Sequence, residues 1–317
     1  MYTRRNLLGV ALGALTVSAT RAFSRDLPHD LLFIHGRGQG GFNPAVLESR
    51  WMHAFKLGAQ KLGRTIPSTL NVSFPFYGDA LDQFAKASKV PSTAGIQTRG
   101  VAPNNQFFVF QAELAEDIRT KAGVTDREIL DEYGADTQER GLLNRKWVLA
   151  ILRTLDKLTG DLGQAAIEEF TWDVYLYITK AGVRDAVDAI VRAKMTGRPT
   201  VVVAHSLGSV VAYNVLRTEA RNINVPLLVT LGCPLGIPAI RNQLVPLRFP
   251  KCVDTWYNAF DTRDLIALFP LDDSNFPIIP AVTNFSGVRN HTDNRHGIEG
   301  YLDDPDVAAH VLDGLVG

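Results

Sequence analysis

The stretch Pro199-Thr-Val-Val-Val-Ala-His-Ser206-Leu-Gly-Ser-Val-Val-Ala-Tyr213 constrains this chain more than any other. Its β-branched run, Thr200 to Val203, reads as a strand buried on both faces, the pattern of a central strand in a parallel sheet. From Gly208 the pattern turns helical, with Val211, Val215 and Leu216 on one side. The chain must therefore reverse within about four residues, with Ser206 at the apex. Ala204 and Gly208 are small enough to let the flanking backbones approach. Such a turn lifts a serine hydroxyl clear of the sheet at the amino end of a helix, the geometry of a nucleophile elbow. The plainer use of the same residues is a serine that caps a helix after a core strand.

The rest of the chain reads as a setting for this turn. Leu31-Leu-Phe-Ile34 is a short buried strand running into His35-Gly36-Arg37-Gly38-Gln39-Gly40-Gly41. From Pro44 to Leu62, Val46, Leu47, Trp51, Phe55 and Leu62 recur at helical spacing, and Leu70 to Phe76 alternates as a second strand. Strand, glycine-rich loop, helix and strand make a βαβ unit, so a parallel sheet is expected. Between about residues 79 and 181 no strand is legible. Helical patterns occur near Gln106 to Lys121, Leu142 to Leu158 and Leu162 to Phe170, after a polar segment from Ser88 to Asn105 that reads as a flap or disordered. A helical insertion there is either a cap over the sheet's carboxyl edge or additional packing helices. Strands resume at Thr200, Pro226–Leu231, Asp254–Phe260 and Ala281–Phe285, and Asp304-Pro305 opens a terminal helix burying Val307, Val311 and Leu312.

The amino terminus reads as an address, not as fold. Arg4-Arg5 precedes an apolar run to Ala19 without acidic residues, then Ala19-Thr-Arg-Ala22 offers small-residue cleavage positions. Residues 1–22 are thus expected to be a signal peptide, partly resembling a twin-arginine signal, with Leu7 where that pattern has Phe. The run is too short to span a bilayer. A periplasmic or secreted location, with the export machinery as a partner, follows as an expectation. Residues 27–317 then form one domain. The 33 basic and 33 acidic residues balance, and losing Arg4, Arg5 and Arg21 would leave the mature chain at −3. No basic patch argues for nucleic acid. Cys233 and Cys252 are a candidate disulfide in an exported protein, or two separate thiols.

A nucleophilic serine needs a base, and the base an acid to fix its tautomer. Asp261-Thr-Arg-Asp264 follows one late strand and His291 to His296 follows the next, giving the chain order Ser, Asp, His. With His35-Gly36-Arg37-Gly38, Ala204-His-Ser206-Leu-Gly208, Gly232-Cys-Pro-Leu235, Asn258 to Asp264, and His296 before Tyr301-Leu302, the chain resembles the α/β-hydrolase superfamily, its lipase- and esterase-like serine hydrolases in particular. The resemblance runs from about Leu31 to the carboxyl end, and Ala204 stands where the serine motif usually has Gly.

It implies an α/β-hydrolase fold, a mostly parallel sheet flanked by helices with a helical cap before the serine strand. It also implies hydrolysis of an ester, small or lipid-like, through an acyl-enzyme. Ser206 would be the nucleophile, with Asp264 ahead of Asp261 as the acid and His296 ahead of His291 as the base. The amides of Leu207 and Arg37 would hold the oxyanion. The Arg37 side chain has two candidate uses, a contact to an anionic part of the substrate or an ion pair to a carboxylate of the insertion. His205 reads as structural and His53 as without a role. No cofactor or metal is implied, since the loop matches neither nucleotide motif and H-E-x-x-H is absent. The rival readings are a thioesterase, amidase or acyltransferase using the same three residues, and a binding protein that keeps the fold.

Overall fold

A computed structural model describes residues 28–88, 106–133, 144–159 and 164–316. The expected signal peptide (1–22) and residues 89–105 of the expected flap lie outside them. Among the described residues six strands form one all-parallel sheet in the order β2-β1-β3-β4-β5-β6. They are β1 (Asp30–Ile34), β2 (Val72–Ser73), β3 (Thr200–His205), β4 (Val225–Leu231), β5 (Val253–Ala259) and β6 (Thr283–Phe285). The helices are α1 (Pro44–Lys61), α2 (Gly78–Ala87), α3 (Gln106–Lys121), α4 (Asp126–Tyr133), α5 (Arg145–Thr159), α6 (Gln164–Thr179) and α7 (Ala181–Arg192), then α8 (Leu207–Arg217), α9 (Pro238–Arg241), α10 (Glu299–Leu302) and α11 (Pro305–Leu315). This is an α/β fold.

Alternation along the central strands builds two cores. Leu31, Phe33, Val201, Val203, Leu227 and Val229 face one way, into a core closed by Trp51 and Phe55 of α1 and Val307 and Val311 of α11. Leu32, Ile34, Val202, Ala204 and Leu228 face the other way, into a core shared with α3, α5, α6, α7 and α8. Every residue of β3 is buried, as its unbroken β-branched run demands.

Helix α8 departs from its one-sided pattern, because residues 207 to 216 are all buried. The cause is α7, which packs over it and brings Asp188 to the Asn214 amide at 2.9 Å. Second, the strand expected over 70–76 reduces to two residues at a sheet edge, paired only with β1. Third, Val46 and Leu62 of the first helical pattern are exposed (49% and 38%), so the buried stripe of α1 is Leu47, Trp51 and Phe55. Helices α2, α4 and α7 are absent from the sequence reading, although Val183, Val187 and Val191 repeat at helical spacing in α7 and are buried.

Strand order decides where a site can form. From β1 the chain passes to β2 on one side, while β3 lies on the other. A crevice therefore opens past the carboxyl ends of β1 and β3, the switch point at which parallel sheets bind ligands.

Candidate active site

Ser206 stands at that switch point. Its φ is 55° and ψ −128°, a left-handed φ costing on the order of 1–3 kcal/mol in a residue with a Cβ. Close packing enforces it. A Cβ on Gly208 would lie 2.3 Å from the Ile34 carbonyl oxygen, and one on Gly36 would lie 3.1 Å from the Ser206 Cβ. The loop after β1 and the turn after β3 are thus in contact.

His296 and Asp264 reach the serine from the loops after β6 and β5. His296 Nε2 lies 2.8 Å from Ser206 Oγ, and His296 Nδ1 lies 2.6 Å from Asp264 Oδ2. A carboxylate only accepts, so Nδ1 carries the proton and Nε2 is left to accept from the hydroxyl. Asp264 is fully buried. It also accepts from the Ile266 amide at 3.0 Å and the Tyr301 hydroxyl at 2.6 Å. Burial and the neighbouring carboxylate push the Tyr301 phenol far up, so it remains a donor.

The reserve candidates lie apart from the serine. Asp261 is fully buried, but its oxygens accept from the Arg263 amide and guanidinium (2.8 to 3.1 Å) and from the Asn290 amide at 2.9 Å. Burial pushes its carboxyl up, yet these donors together hold it below the usual range. It closes the turn after β5. His291 pairs with Asp303 at 3.0 Å and its side chain is 62% exposed. His205 donates from Nε2 to the His296 carbonyl at 2.7 Å, and its ring sits 4.8 Å from the His296 ring. Burial, and then His296, depress its pKa far below the ordinary histidine value, so it is neutral. Arg295, just before His296, is the other non-glycine residue with positive φ among the described residues (55°). Strain thus sits beside both the serine and the imidazole.

The loop after β1 is also braced. His35 donates from Nδ1 to the Gly36 carbonyl at 2.7 Å, and its Nε2 accepts from the Tyr77 amide at 3.1 Å. Its ring stacks on Tyr77 at 3.9 Å, and the Tyr77 hydroxyl donates to the His35 carbonyl. Burial lowers the His35 pKa to about 4, which keeps it neutral. The Gly36 carbonyl and the Arg37 amide belong to one peptide plane, so fixing the first aims the second. Neither the Arg37 amide nor the Leu207 amide enters the hydrogen bonds of turns, loops and caps among the described residues. Of the two uses considered for the Arg37 side chain, the ion pair is the one present, to Asp173 at 3.0 Å and Glu169 at 2.5 Å, both on α6.

A pocket of about 390 Å³ opens over Ser206. Leu47 and Trp51 of α1, Ile167 and Phe170 of α6, and Ile298 form its apolar wall, with His205, Ser206 and His296 at its polar end. The inserted helices therefore pack the core and, through α6, line the site. Sequence reasoning missed Tyr301 as a donor to Asp264, although it used this tyrosine as a landmark. It also missed Asp173 and Glu169, which no local signal marks.

Cys233 and Cys252 are unpaired, and burial pushes the Cys233 thiol up to about 12, which leaves it inert. Among the described residues no cluster of three or more His, Cys, Asp or Glu suits a metal ion, and no helix is long and apolar enough to cross a membrane. Comparison with protein-family models and with curated proteins gives no match.

Proposed function

We propose that this chain is a serine hydrolase of the α/β-hydrolase kind that cleaves carboxylic esters. One observation carries the reading: the continuous Ser206–His296–Asp264 hydrogen-bond chain, ending on a serine held in a strained turn at the switch point. His296 Nε2 takes the hydroxyl proton as Ser206 Oγ attacks the acyl carbonyl, and buried Asp264 stabilises the imidazolium that forms. The amides of Leu207 and Arg37 receive the tetrahedral oxyanion, and each such donor contributes about 3 kcal/mol. His296 then returns its proton to the leaving alcohol. Water, deprotonated by the same nitrogen, releases the acid from the acyl-enzyme.

The apolar wall from Leu47 to Phe170 favours an acyl or lipid-like group over a small hydrophilic one. No cofactor enters this chemistry. Arg4-Arg5 and the apolar run after them support export, which puts the mature enzyme in the periplasm or outside the cell.

The test is labelling of the mature chain by a fluorophosphonate, wild type beside Ser206→Ala, followed by p-nitrophenyl esters from acetate to palmitate. The expected result is labelling that the substitution abolishes, with kcat lowered about 10⁶-fold. A folded wild type that neither labels nor turns over any ester would overturn the reading in favour of a binding protein.

A further inference from the structure

The ion pair between the loop after β1 and helix α6 lies beside the polar end of the pocket and has no part in the proton transfers above. Arg37 Nε donates to Asp173 Oδ2 at 3.0 Å, where the Asp173 side chain is 8% exposed. A second nitrogen, Nη2, donates to Glu169, whose side chain is 63% exposed, so this contact adds little. Burial pushes the Asp173 carboxyl up and the Arg37 guanidinium opposes this, so the carboxylate depends on its partner. The backbone of the same loop is held by other groups, with the Gly36 carbonyl on His35 and the Arg37 carbonyl on the Gln39 amide nitrogen at 3.0 Å. The Arg37 side chain ties this segment to helix α6, while farther along the loop the Gly41 amide donates to Asp79 of α2 at 2.7 Å.

We propose that Asp173 is a positioning residue for oxyanion binding: paired with Arg37, it fastens the peptide carrying the Arg37 amide to helix α6. This rests on the serine-hydrolase reading. The amide must meet an oxygen that becomes an anion only in the transition state, and a donor misplaced by about 1 Å can cost 10²-fold in rate. Helix α6 would then serve the chemistry through a fixed tie as well as through the pocket wall. The guanidinium, paired with the buried Asp173 carboxylate, is the tether.

Singly breaking a partly buried pair also destabilises a protein, because one charge is left unpaired, whereas replacing both partners with apolar residues can restore stability. The experiment therefore compares Asp173→Asn, Arg37→Met and the double variant Arg37→Met/Asp173→Leu, all of which keep the residue 37 amide. For each, the melting temperature, kcat and KM on one p-nitrophenyl ester, and the inhibition constant of a trifluoromethyl ketone transition-state analogue are measured. The double variant is expected to regain the melting temperature of the wild type. Its kcat should stay about 10- to 100-fold down with KM changed less than about threefold. Affinity for the ketone should fall by the same factor as kcat/KM. Recovery of kcat together with stability would overturn the proposal and leave a purely structural pair. A rise in KM at unchanged kcat would overturn it in favour of substrate binding. Failure of the hydrolase reading itself would show separately, as a wild type with no ester turnover.

Discussion

Among the described residues two histidine–aspartate pairs stand out, both histidines on the loop after β6. His296 lies 2.6 Å from Asp264, and His291 lies 3.0 Å from Asp303. By distance and residue type they are near twins. Their imidazoles sit in opposite surroundings. Asp264 is fully buried, receives a second donor from Tyr301 on the oxygen that holds His296, and the far nitrogen of that imidazole faces a serine. The His291 side chain is 62% exposed, and Asp303 divides itself between that ring and Lys61 at 3.1 Å. A histidine–carboxylate contact is therefore not a functional signal by itself. Exclusion of water, and a third group on the far nitrogen, make the difference.

The strongest way to break this comparison is to disarm each carboxylate in turn. Asp264→Asn is expected to lower kcat by about 10⁴-fold, because the amide no longer fixes the productive tautomer. Asp303→Asn should change kcat less than about twofold, because its exposed partner His291 stands outside the Ser206–His296–Asp264 chain, and stability by about 1 kcal/mol, since Asp303 itself is buried. Steady-state kinetics and urea melts of the two variants decide it, and comparable losses in kcat would erase the distinction drawn above.

A second effect sharpens the role of burial. His35 and His205 are kept neutral below the ordinary histidine value, so between pH 6.5 and about 4 the unfolded chain binds protons that the folded chain refuses. Stability is then complete above about pH 6.5 and is lost as pH falls towards about 4. His35 alone should account for about 2 kcal/mol by about pH 5. Urea midpoints at neutral and mildly acid pH measure this, and His35→Gln should flatten the dependence.

The smallest effect isolates the third partner. Tyr301→Phe removes one donor from Asp264, so the carboxylate that orients His296 is held less firmly. At neutral pH kcat should fall by about tenfold or less with KM little changed. An unchanged kcat would reduce Tyr301 to packing.

What could be read in the sequence follows from how local each cause is. The serine turn was legible because a buried strand, an apex residue and a helix succeed one another within fifteen residues, and the structure places them so. Sequence favours Asp264 over Asp261 only through its place before Leu265-Ile266, and locally the two are alike, since both are fully buried and each accepts from an amide two residues on. Partners distant in sequence separate them, with Asn290 claiming the first and His296 and Tyr301 the second. The same distance hid the Arg37 tie to α6, whose members stand 136 and 132 positions away. Helix α7 is a different case, because the spacing of Val183, Val187 and Val191 is local and marks a helix by itself.

The order of the strands has a consequence for how the chain comes to life. The serine follows the third strand, whereas its acid and base follow the fifth and sixth, and the tyrosine that steadies the acid comes later still. A chain growing from its amino end therefore completes the turn that presents Ser206 while the groups that would arm it are unmade. Nucleophile and activator first coexist only when β5 and β6 have joined the sheet and α10 has closed beneath them. On the proposed reading reactivity is the last thing to be assembled, so ester turnover during refolding is expected no earlier than the pairing of β6 with β5.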